Sequence, residues 1–203
     1  TPNHAHRREY PTGYFLNKLL NKKKVEDHLM SEIKNVAMIT VCGRPNVGKS
    51  SLTNALVGEK VAIVSSKPQT TRNRICGILT RENTQMVFVD TPGFHKARTK
   101  LGDYMVNVTR ESITDVDLTI LVVEPIASVG MQEEALIQQI SGKKNPMILA
   151  INKIDTVEKE SLLAVIAAYS QVAKFDAIIP ISAKTGDGVE DLLKICENYE
   201  IGR

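Results

Sequence analysis

The segment at residues 43–50 reads GRPNVGKS and directly follows the apolar run VAMITVC. Glycines at this spacing let backbone amides approach an anion without a Cβ in the way, and a following helix adds its positive N-terminal end. Lys49 would place a positive charge near the terminal phosphates of a nucleotide, and Ser50 would offer a hydroxyl to Mg²⁺. The other residues predicted to line this phosphate site are Arg44, Pro45, Asn46, Val47, Gly48 and Ser51. The alternative for the motif taken alone is a glycine-rich turn.

A second metal anchor is predicted at Asp90, which ends the run MVFV and opens the sequence Asp-Thr-Pro-Gly. Its carboxylate can hold Mg²⁺ through a water molecule, because Mg²⁺ keeps most of its hydration shell. The amide of Gly93 is predicted to sense a γ-phosphate. Thr71, in the polar loop at 65–72, is predicted to give the metal a second hydroxyl. Read alone, a strand-end Asp is more often a cap or turn residue, and Thr71 could equally be an ordinary surface-loop residue.

The motif NKID at residues 152–155 follows the apolar run MILAI and indicates which base is bound. Guanine presents two adjacent donors, and one carboxylate can accept from both, so Asp155 favours guanine over adenine. Asn152 is predicted to brace the loop. The alkyl stem of Lys153 is predicted to lie on the purine face.

A last motif follows the final apolar run and consists of Ser182, Ala183 and Lys184. The backbone N–H of Ala183 is predicted to donate to the O6 atom of guanine. A four-residue match such as NKID arises often by chance. This one stands in a series of motifs that each follow a predicted strand, so the series favours one guanine nucleotide site.

The runs that precede the motifs predict alternating strands and helices. The predicted strands are 36–42, 74–79, 86–89, 118–124, 147–151 and 177–181. The predicted helices are 50–56, 131–140, 158–172 and 189–196. The continuous apolar run at 36–42 indicates a strand buried on both faces, and the polar turn between 79 and 86 indicates a hairpin.

This alternation predicts an α/β fold with a mostly parallel six-stranded sheet, one antiparallel strand and helices on both faces. That architecture is the one expected of a P-loop nucleotide-binding G domain. Ligands of such sheets lie beyond the carboxyl ends of the strands, which is where the motifs fall.

Composition limits the alternatives. The chain has 203 residues, of which 42% are hydrophobic, so it can bury the core of a globular domain. Its three cysteines share no CxxC spacing, which argues against a disulfide framework or zinc site and favours a reducing, cytoplasmic compartment. No apolar run is long enough to cross a bilayer.

Residues 1–29 differ from the rest. They hold six Lys or Arg and three acidic residues, so the whole net charge of +3 lies there and the remainder gives no basic excess typical of nucleic-acid binding. We expect Met30 to be the true start, 1–29 to be an upstream extension that is non-native or disordered, and 30–203 to be the folded domain. The alternative is a short basic helix.

The order GRPNVGKS, Thr71, DTPG, NKID and SAK resembles the translation-factor-like GTPases. The stretch KPQTTRNRICGI at 67–78, followed by VFVDTPGFH at 87–95, is similar to the Era family of bacterial GTPases, in which a GTPase domain precedes an RNA-binding KH domain. The resemblance covers roughly 33–196. Der and the tRNA-modifying GTPases share GxPNxGKS, but their switch loops usually read TRD where this chain has TRN at 71–73; they remain the alternative.

The Era resemblance implies a GTP-hydrolysing switch in small-subunit ribosome assembly. It also implies binding near the 3′ end of 16S rRNA, contact with the 30S subunit and loose association with the inner membrane. Because the sequence ends at Arg203, soon after the last predicted helix, the KH domain is expected to be missing, and RNA binding by this chain is left open. We expect a monomer.

Hydrolysis in such proteins depends on positioning and electrostatics, and the catalytic candidates are Lys49, Asn46, Thr71 and Gly93. The residue after DTPG is Phe94, which cannot orient water, so intrinsic turnover should be slow. The resemblance implies that K⁺ compensates, held by Asn46 and switch-loop carbonyls. His95, Arg72 and Arg74 are either local helpers or solvated side chains. A module that binds nucleotide with little turnover is the alternative to an enzyme.

Overall fold

The computed structural model describes residues 35–58, 74–81, 83–90, 116–142 and 145–199, with only the backbone described at 74–76 and 90. These residues belong to one compact unit, Asn35–Arg203. The predictions for residues 1–29, for the loop that contains Thr71 and for the segment after Asp90 lie outside the described residues.

The predicted strands and helices are all present in the described part of the chain. The strands are β1 (Asn35–Cys42), β2 (Arg74–Arg81), β3 (Thr84–Asp90), β4 (Leu118–Val123), β5 (Met147–Ile151) and β6 (Ala177–Pro180). The helices are α1 (Lys49–Val57), α2 (Met131–Ser141), α3 (Lys159–Val172) and α4 (Val189–Asn198), with a short 3-10 helix at Ile154–Thr156.

The strands form one six-stranded sheet in the order β2-β3-β1-β4-β5-β6. Every neighbouring pair is parallel except β2 and β3, which form the predicted antiparallel hairpin. The predicted fold class is confirmed. Because β1, β3, β4, β5 and β6 run in the same direction, the loops that follow them open at one edge of the sheet.

Helices cover the two faces of the sheet with separate apolar clusters. One cluster joins α1 and α4 to alternate residues of the strands, including Ile39, Phe88 and Ile120. The other joins α2 and α3 to the opposite face through residues such as Leu121 and Leu149. Successive residues of a strand point to opposite faces, so a strand covered on both sides is almost continuously apolar. Strands β4 and β5 are fully buried, and Thr119 is their one polar residue.

The structure corrects some boundaries. The hairpin strands run to Arg81 and from Thr84, so the polar turn is shorter than predicted, because ladder hydrogen bonds join backbone groups whatever the side chains. In contrast, β4 ends at Val123, one residue early. The first half of β1 is only partly buried, so the prediction of burial on both faces holds for its second half alone.

Two of the helices carry acidic residues in their first turns. The first turn of α2 carries Glu133 and Glu134, and that of α4 carries Glu190 and Asp191, which suits the positive end of a helix dipole. On the sheet's outer strand, Arg81 forms ion pairs of 2.6 and 3.0 Å with Glu190 and Glu197, and so ties β2 to α4.

No helix within the described ranges combines the length and apolarity needed to span a membrane.

Candidate nucleotide site

The loop between β1 and α1 folds into a tight cradle. Asn46 and Gly48 adopt left-handed backbone conformations, with φ of 66° and 99°. Between them, Val47 is fully buried and anchors the loop in the core. The Nζ atom of Lys49 donates to the carbonyl oxygens of Gly43 and Arg44, both at 2.9 Å. The ammonium group therefore lies over the mouth of its own loop, where a phosphate oxygen could replace a carbonyl as its acceptor.

The loop after β5 is fastened to this cradle by Asn152, which is 3% exposed. Its Nδ2 atom donates to the carbonyl of Val47 at 2.9 Å. A Cβ added to Gly48 would collide with the same Nδ2 atom. Glycine is thus required at position 48 both by its backbone angle and by the approach of the asparagine.

The loop after β6 is attached to the same asparagine. The backbone N–H of Ala183 donates to Oδ1 of Asn152 at 3.0 Å. This is the N–H predicted to donate to guanine O6. Because Asn152 already accepts from it, a base carbonyl would have to share or replace that bond. The orientation of the amide follows from its partners, because the Val47 carbonyl can only accept and the Ala183 N–H can only donate.

The carboxylate predicted to select guanine is held from one side. Oδ1 of Asp155 accepts a 2.8 Å hydrogen bond from the hydroxyl of Ser182, which is fully buried. The same hydroxyl accepts from the N–H of Thr185 at 3.1 Å, which fixes its direction. Asp155 itself is exposed within the 3-10 helix, and Lys184, in the loop after β6, is also exposed. The geometry leaves a fixed carboxylate open to solvent, as a base-recognition group requires.

Lys153 reaches from the base-recognition loop to the phosphate cradle. Its backbone is left-handed, with φ of 63°. Its Nζ atom donates to the carbonyl of Asn46 at 2.7 Å and to Oε1 of Glu124 at 2.6 Å. The long side chain is therefore stretched across the opening, where its alkyl stem would form one wall of a purine site.

Two acidic residues at this edge were not singled out from the sequence. Glu124 follows β4 directly, and its Oε2 atom pairs with Nη2 of Arg44 at 2.6 Å. Glu133, in the first turn of α2, pairs with Nε of Arg44 at 2.8 Å and is 7% exposed. Glu124 could have been found from the sequence by its position. It lies at the carboxyl end of a predicted strand, and the predicted strands before and after it along the chain are each followed by a motif.

The metal candidates are only partly described. Ser50 is exposed in the first turn of α1, and the backbone of Asp90 ends β3 opposite Val41 of β1. Asp90 therefore ends β3, and Ser50 lies in the helix that follows the adjacent parallel strand β1, at the same edge of the sheet. A Mg²⁺ site shared by a serine hydroxyl and an aspartate carboxylate requires this placement. Other predicted site and helper residues lie outside the described side chains: Thr71, Arg72, Arg74, Gly93, Phe94 and His95.

Cys42 closes β1 next to the cradle but has no reactive character. It is buried, and this burial raises the pKa of its thiol to about 12, although the positive charge of Lys49 acts in the opposite direction. The thiolate is the nucleophilic form, so a thiol with this pKa is inert at neutral pH.

A phosphate cradle after β1, a guanine-type motif after β5 and this strand order define a G domain of the P-loop GTPases. The profile of the family described as "50S ribosome-binding GTPase" matches residues 38–153. The chain belongs to this family, and the predicted Era-type G domain is confirmed by the relatives below.

Among curated proteins, GTPase Era of Ruminiclostridium cellulolyticum is 50% identical over 161 residues, which are 79% of this chain and 54% of that protein. Among solved structures, Era in complex with MgGDPNP and nucleotides 1506–1542 of 16S ribosomal RNA superposes with a TM-score of 0.72 at 32% identity, covering 83% of this chain and 58% of that one. A variant of Aquifex aeolicus Era bound to GDP·AlF4⁻ gives 0.71 at 32% identity, with the same coverage. The chain thus spans about half the length of the curated relatives it matches.

Proposed function

We propose that this domain binds GTP with Mg²⁺ and hydrolyses it to GDP and phosphate, acting as a nucleotide-dependent switch. The observation that carries the proposal is the pair of bonds made by Asn152. They hold the phosphate cradle and the loop after β6 against the NKID loop as one unit. A site built from three strand ends can contact the phosphates and the base of one nucleotide together.

The described residues have distinct tasks in this proposal. Amides of residues 44–51 and Lys49 bind the phosphates and offset the charge that develops between the β- and γ-phosphates. Asp155 accepts from N1–H and the 2-amino group of guanine, while Lys153 packs on the ring. Mg²⁺ would be held by Ser50, Thr71 and Asp90, and when bound it neutralises phosphate charge.

Slow hydrolysis with potassium as an activator is the finer part of the proposal. Asn46 supports it through its position, because it is exposed at the lip of the cradle with its backbone fixed by Lys153. Its side-chain oxygen would then be available to hold a potassium ion, which would offset negative charge on the reacting phosphates. Together with Thr71 and Gly93, Asn46 completes the proposed set of groups around the reacting phosphate.

The biological setting that we propose is small-subunit assembly in the cytoplasm, with peripheral contact to the inner membrane. The ribosomal part of this setting is supported by the Era relatives and by the Era structure with a 16S ribosomal RNA segment, while the membrane contact comes only from the family resemblance. Since the chain spans 54% of the first of those relatives, we assign this domain the nucleotide switch and leave RNA contact to the whole protein.

A binding and turnover experiment tests the core of this proposal. The 203-residue chain is mixed with fluorescent GDP in Mg²⁺ buffer and competed with GDP, GTP or ADP. We expect GDP and GTP to compete and ADP to fail; equal competition by ADP would contradict the guanine assignment. Single-turnover release of phosphate from GTP then separates an enzyme from a nucleotide-binding module, which would show binding without release. Co-sedimentation of the whole protein with 30S subunits in GTP and GDP tests the ribosomal role, and binding in neither nucleotide would contradict it.

A further inference from the structure

A continuous ion-pair network crosses the mouth of the nucleotide site. Glu124 uses its two carboxylate oxygens separately, one on Arg44 and one on Lys153, both at 2.6 Å. Arg44 belongs to the phosphate cradle and Lys153 to the base-recognition loop. Glu124 is therefore the one side chain in the described ranges that joins a cation of each loop by an ion pair.

The partners of Glu124 are themselves constrained. Arg44 is held a second time by the buried carboxylate of Glu133, 2.8 Å from its Nε atom. Lys153 and Asn46, which are joined by a 2.7 Å hydrogen bond, both have left-handed backbones. A left-handed backbone in a residue other than glycine is unfavourable and persists where surrounding contacts enforce it. The ion pair with Glu124 is one such contact for Lys153.

We infer that Glu124 is a positioning residue for guanine nucleotide binding, which fastens Lys153 across the base site and aligns it with the phosphate cradle through Arg44. The inference rests on the proposed function, because it names how that site is kept in register. A free lysine side chain has many rotamers and loses them when it packs on a ligand. A lysine that is already held in place loses fewer, so the nucleotide binds more tightly and leaves more slowly.

The network is suited to this role because its three side chains are mostly shielded from solvent. The side chains of Glu124, Arg44 and Lys153 are 24%, 33% and 38% exposed. Fully exposed pairs contribute little to stability, whereas pairs partly removed from water are stronger and less sensitive to salt. An effect of Glu124 on the nucleotide should thus persist at physiological ionic strength.

The test compares dissociation of fluorescent GDP from the wild-type chain, Glu124→Gln, Lys153→Met and the double variant. Glu124→Gln keeps the size of the side chain but removes its charge, and Lys153→Met keeps a packing stem but removes the ammonium. The matched control is Glu134→Gln, which changes an exposed glutamate one residue from Glu133 on α2. Thermal unfolding of each nucleotide-free variant is measured in parallel.

We expect Glu124→Gln to speed GDP dissociation about tenfold, as for loss of one charge-assisted hydrogen bond, and Glu134→Gln to change it less than about twofold. If Glu124 and Lys153 acted independently, the double variant would speed GDP dissociation by the product of the two single effects. We expect a dissociation rate about threefold or more below that product, because Glu124 acts through Lys153.

Two results would overturn the inference: an unchanged dissociation rate in Glu124→Gln, or independent effects of Glu124 and Lys153 accompanied by a lower unfolding temperature in Glu124→Gln. The second result would show a structural role only. Failure of the wild-type chain to bind GDP at all would instead remove the proposed function on which the inference rests, so the two failures are distinguishable.

Discussion

Asn152 and Val47 are 105 residues apart in the chain, yet the side-chain amide of the first donates to the backbone carbonyl of the second at 2.9 Å. The same side chain accepts from the N–H of Ala183 at 3.0 Å. Because Asn152 is buried, neither partner could be replaced by water without rearrangement of the loops. One amide group thus sets the spacing between the phosphate cradle and the loops expected to contact the base.

Replacing Asn152 with alanine should weaken both the fold and the site. The change leaves the carbonyl of Val47 and the N–H of Ala183 without their buried partner, which should cost about 2–4 kcal/mol of unfolding free energy. Urea unfolding measures this loss, and GDP affinity should fall with it. The control is Asn54→Ala, at an exposed position of α1, where we expect little change. Equal stability of the two variants would contradict the bridging role.

Gly48→Ala should disable the phosphate cradle. Its Cβ would combine a left-handed backbone with a collision against Nδ2 of Asn152. Gly186→Ala is the matched control, because Gly186 also has a positive φ, of 87°, but its added Cβ would meet nothing. The control should lose about 1 kcal/mol from backbone strain alone, and Gly48→Ala should lose more, together with GDP binding. The comparison by urea unfolding isolates the effect of the collision, and equal losses would argue against it.

Asp155→Asn should change the preferred base from guanine to xanthine. Xanthine has a carbonyl where guanine has its 2-amino donor, and an asparagine amide can donate to that carbonyl. The fold should tolerate the change, because the hydroxyl of Ser182 can still donate to the amide oxygen of the new residue. Competition between GDP and XDP for the purified variant gives the result. Asp187→Asn, an exposed neighbour in the next loop, should keep the guanine preference. A variant at 155 that still chose GDP would show that this carboxylate does not read the base.

Asn46→Asp should reduce stimulation of GTP hydrolysis by potassium. Aspartate tolerates the left-handed backbone of Asn46, whose φ is 66°, so the cradle should keep its shape. The backbone carbonyl that accepts from Lys153 is also retained. Hydrolysis rates in KCl and NaCl at matched ionic strength are the measurement, for the wild type and for Asn46→Asp and Asn46→Ser. Equal wild-type rates in the two salts would exclude the potassium route.

The buried thiols should make the fold sensitive to alkali. Burial raises the pKa of both Cys42 and Cys196 to about 12, from an ordinary value of 9.0. At a pH between 9.0 and about 12, the thiols of the unfolded chain lose their protons while those of the folded chain keep them. The contribution of each thiol is therefore fully present below pH 9.0 and is lost as pH rises towards about 12, by about 1.4 kcal/mol per pH unit.

Urea unfolding from neutral pH to about pH 10, with reductant present, checks this dependence. The double variant Cys42→Ala and Cys196→Ala should lose stability less steeply above pH 9.0 than the wild type does. Other groups titrate in both proteins and cancel in the comparison. The same slope in both would show that these thiols do not contribute.

The fold was largely predictable because its signals are local. A strand buried on both faces must be largely apolar, so runs such as 118–123 and 147–151 marked buried strands without any knowledge of their neighbours. Boundaries were less predictable where polar residues continue a ladder, as Arg81 and Thr84 do in the hairpin. Backbone groups make the ladder hydrogen bonds, so the polarity of a side chain does not indicate whether its residue belongs to the strand.

The sequence by itself determined which chemical groups stand at the carboxyl ends of the strands: the cradle glycines, Lys49, Asn152 and Asp155. Only the tertiary structure decided which of these groups meet. It placed Ala183 against Asn152 and made Glu124 the bridge between Arg44 and Lys153. A hydrogen bond requires its atoms to approach within about 3 Å. Whether residues 80 or 105 apart do so depends on the order of strands in the sheet, which no local stretch of sequence encodes.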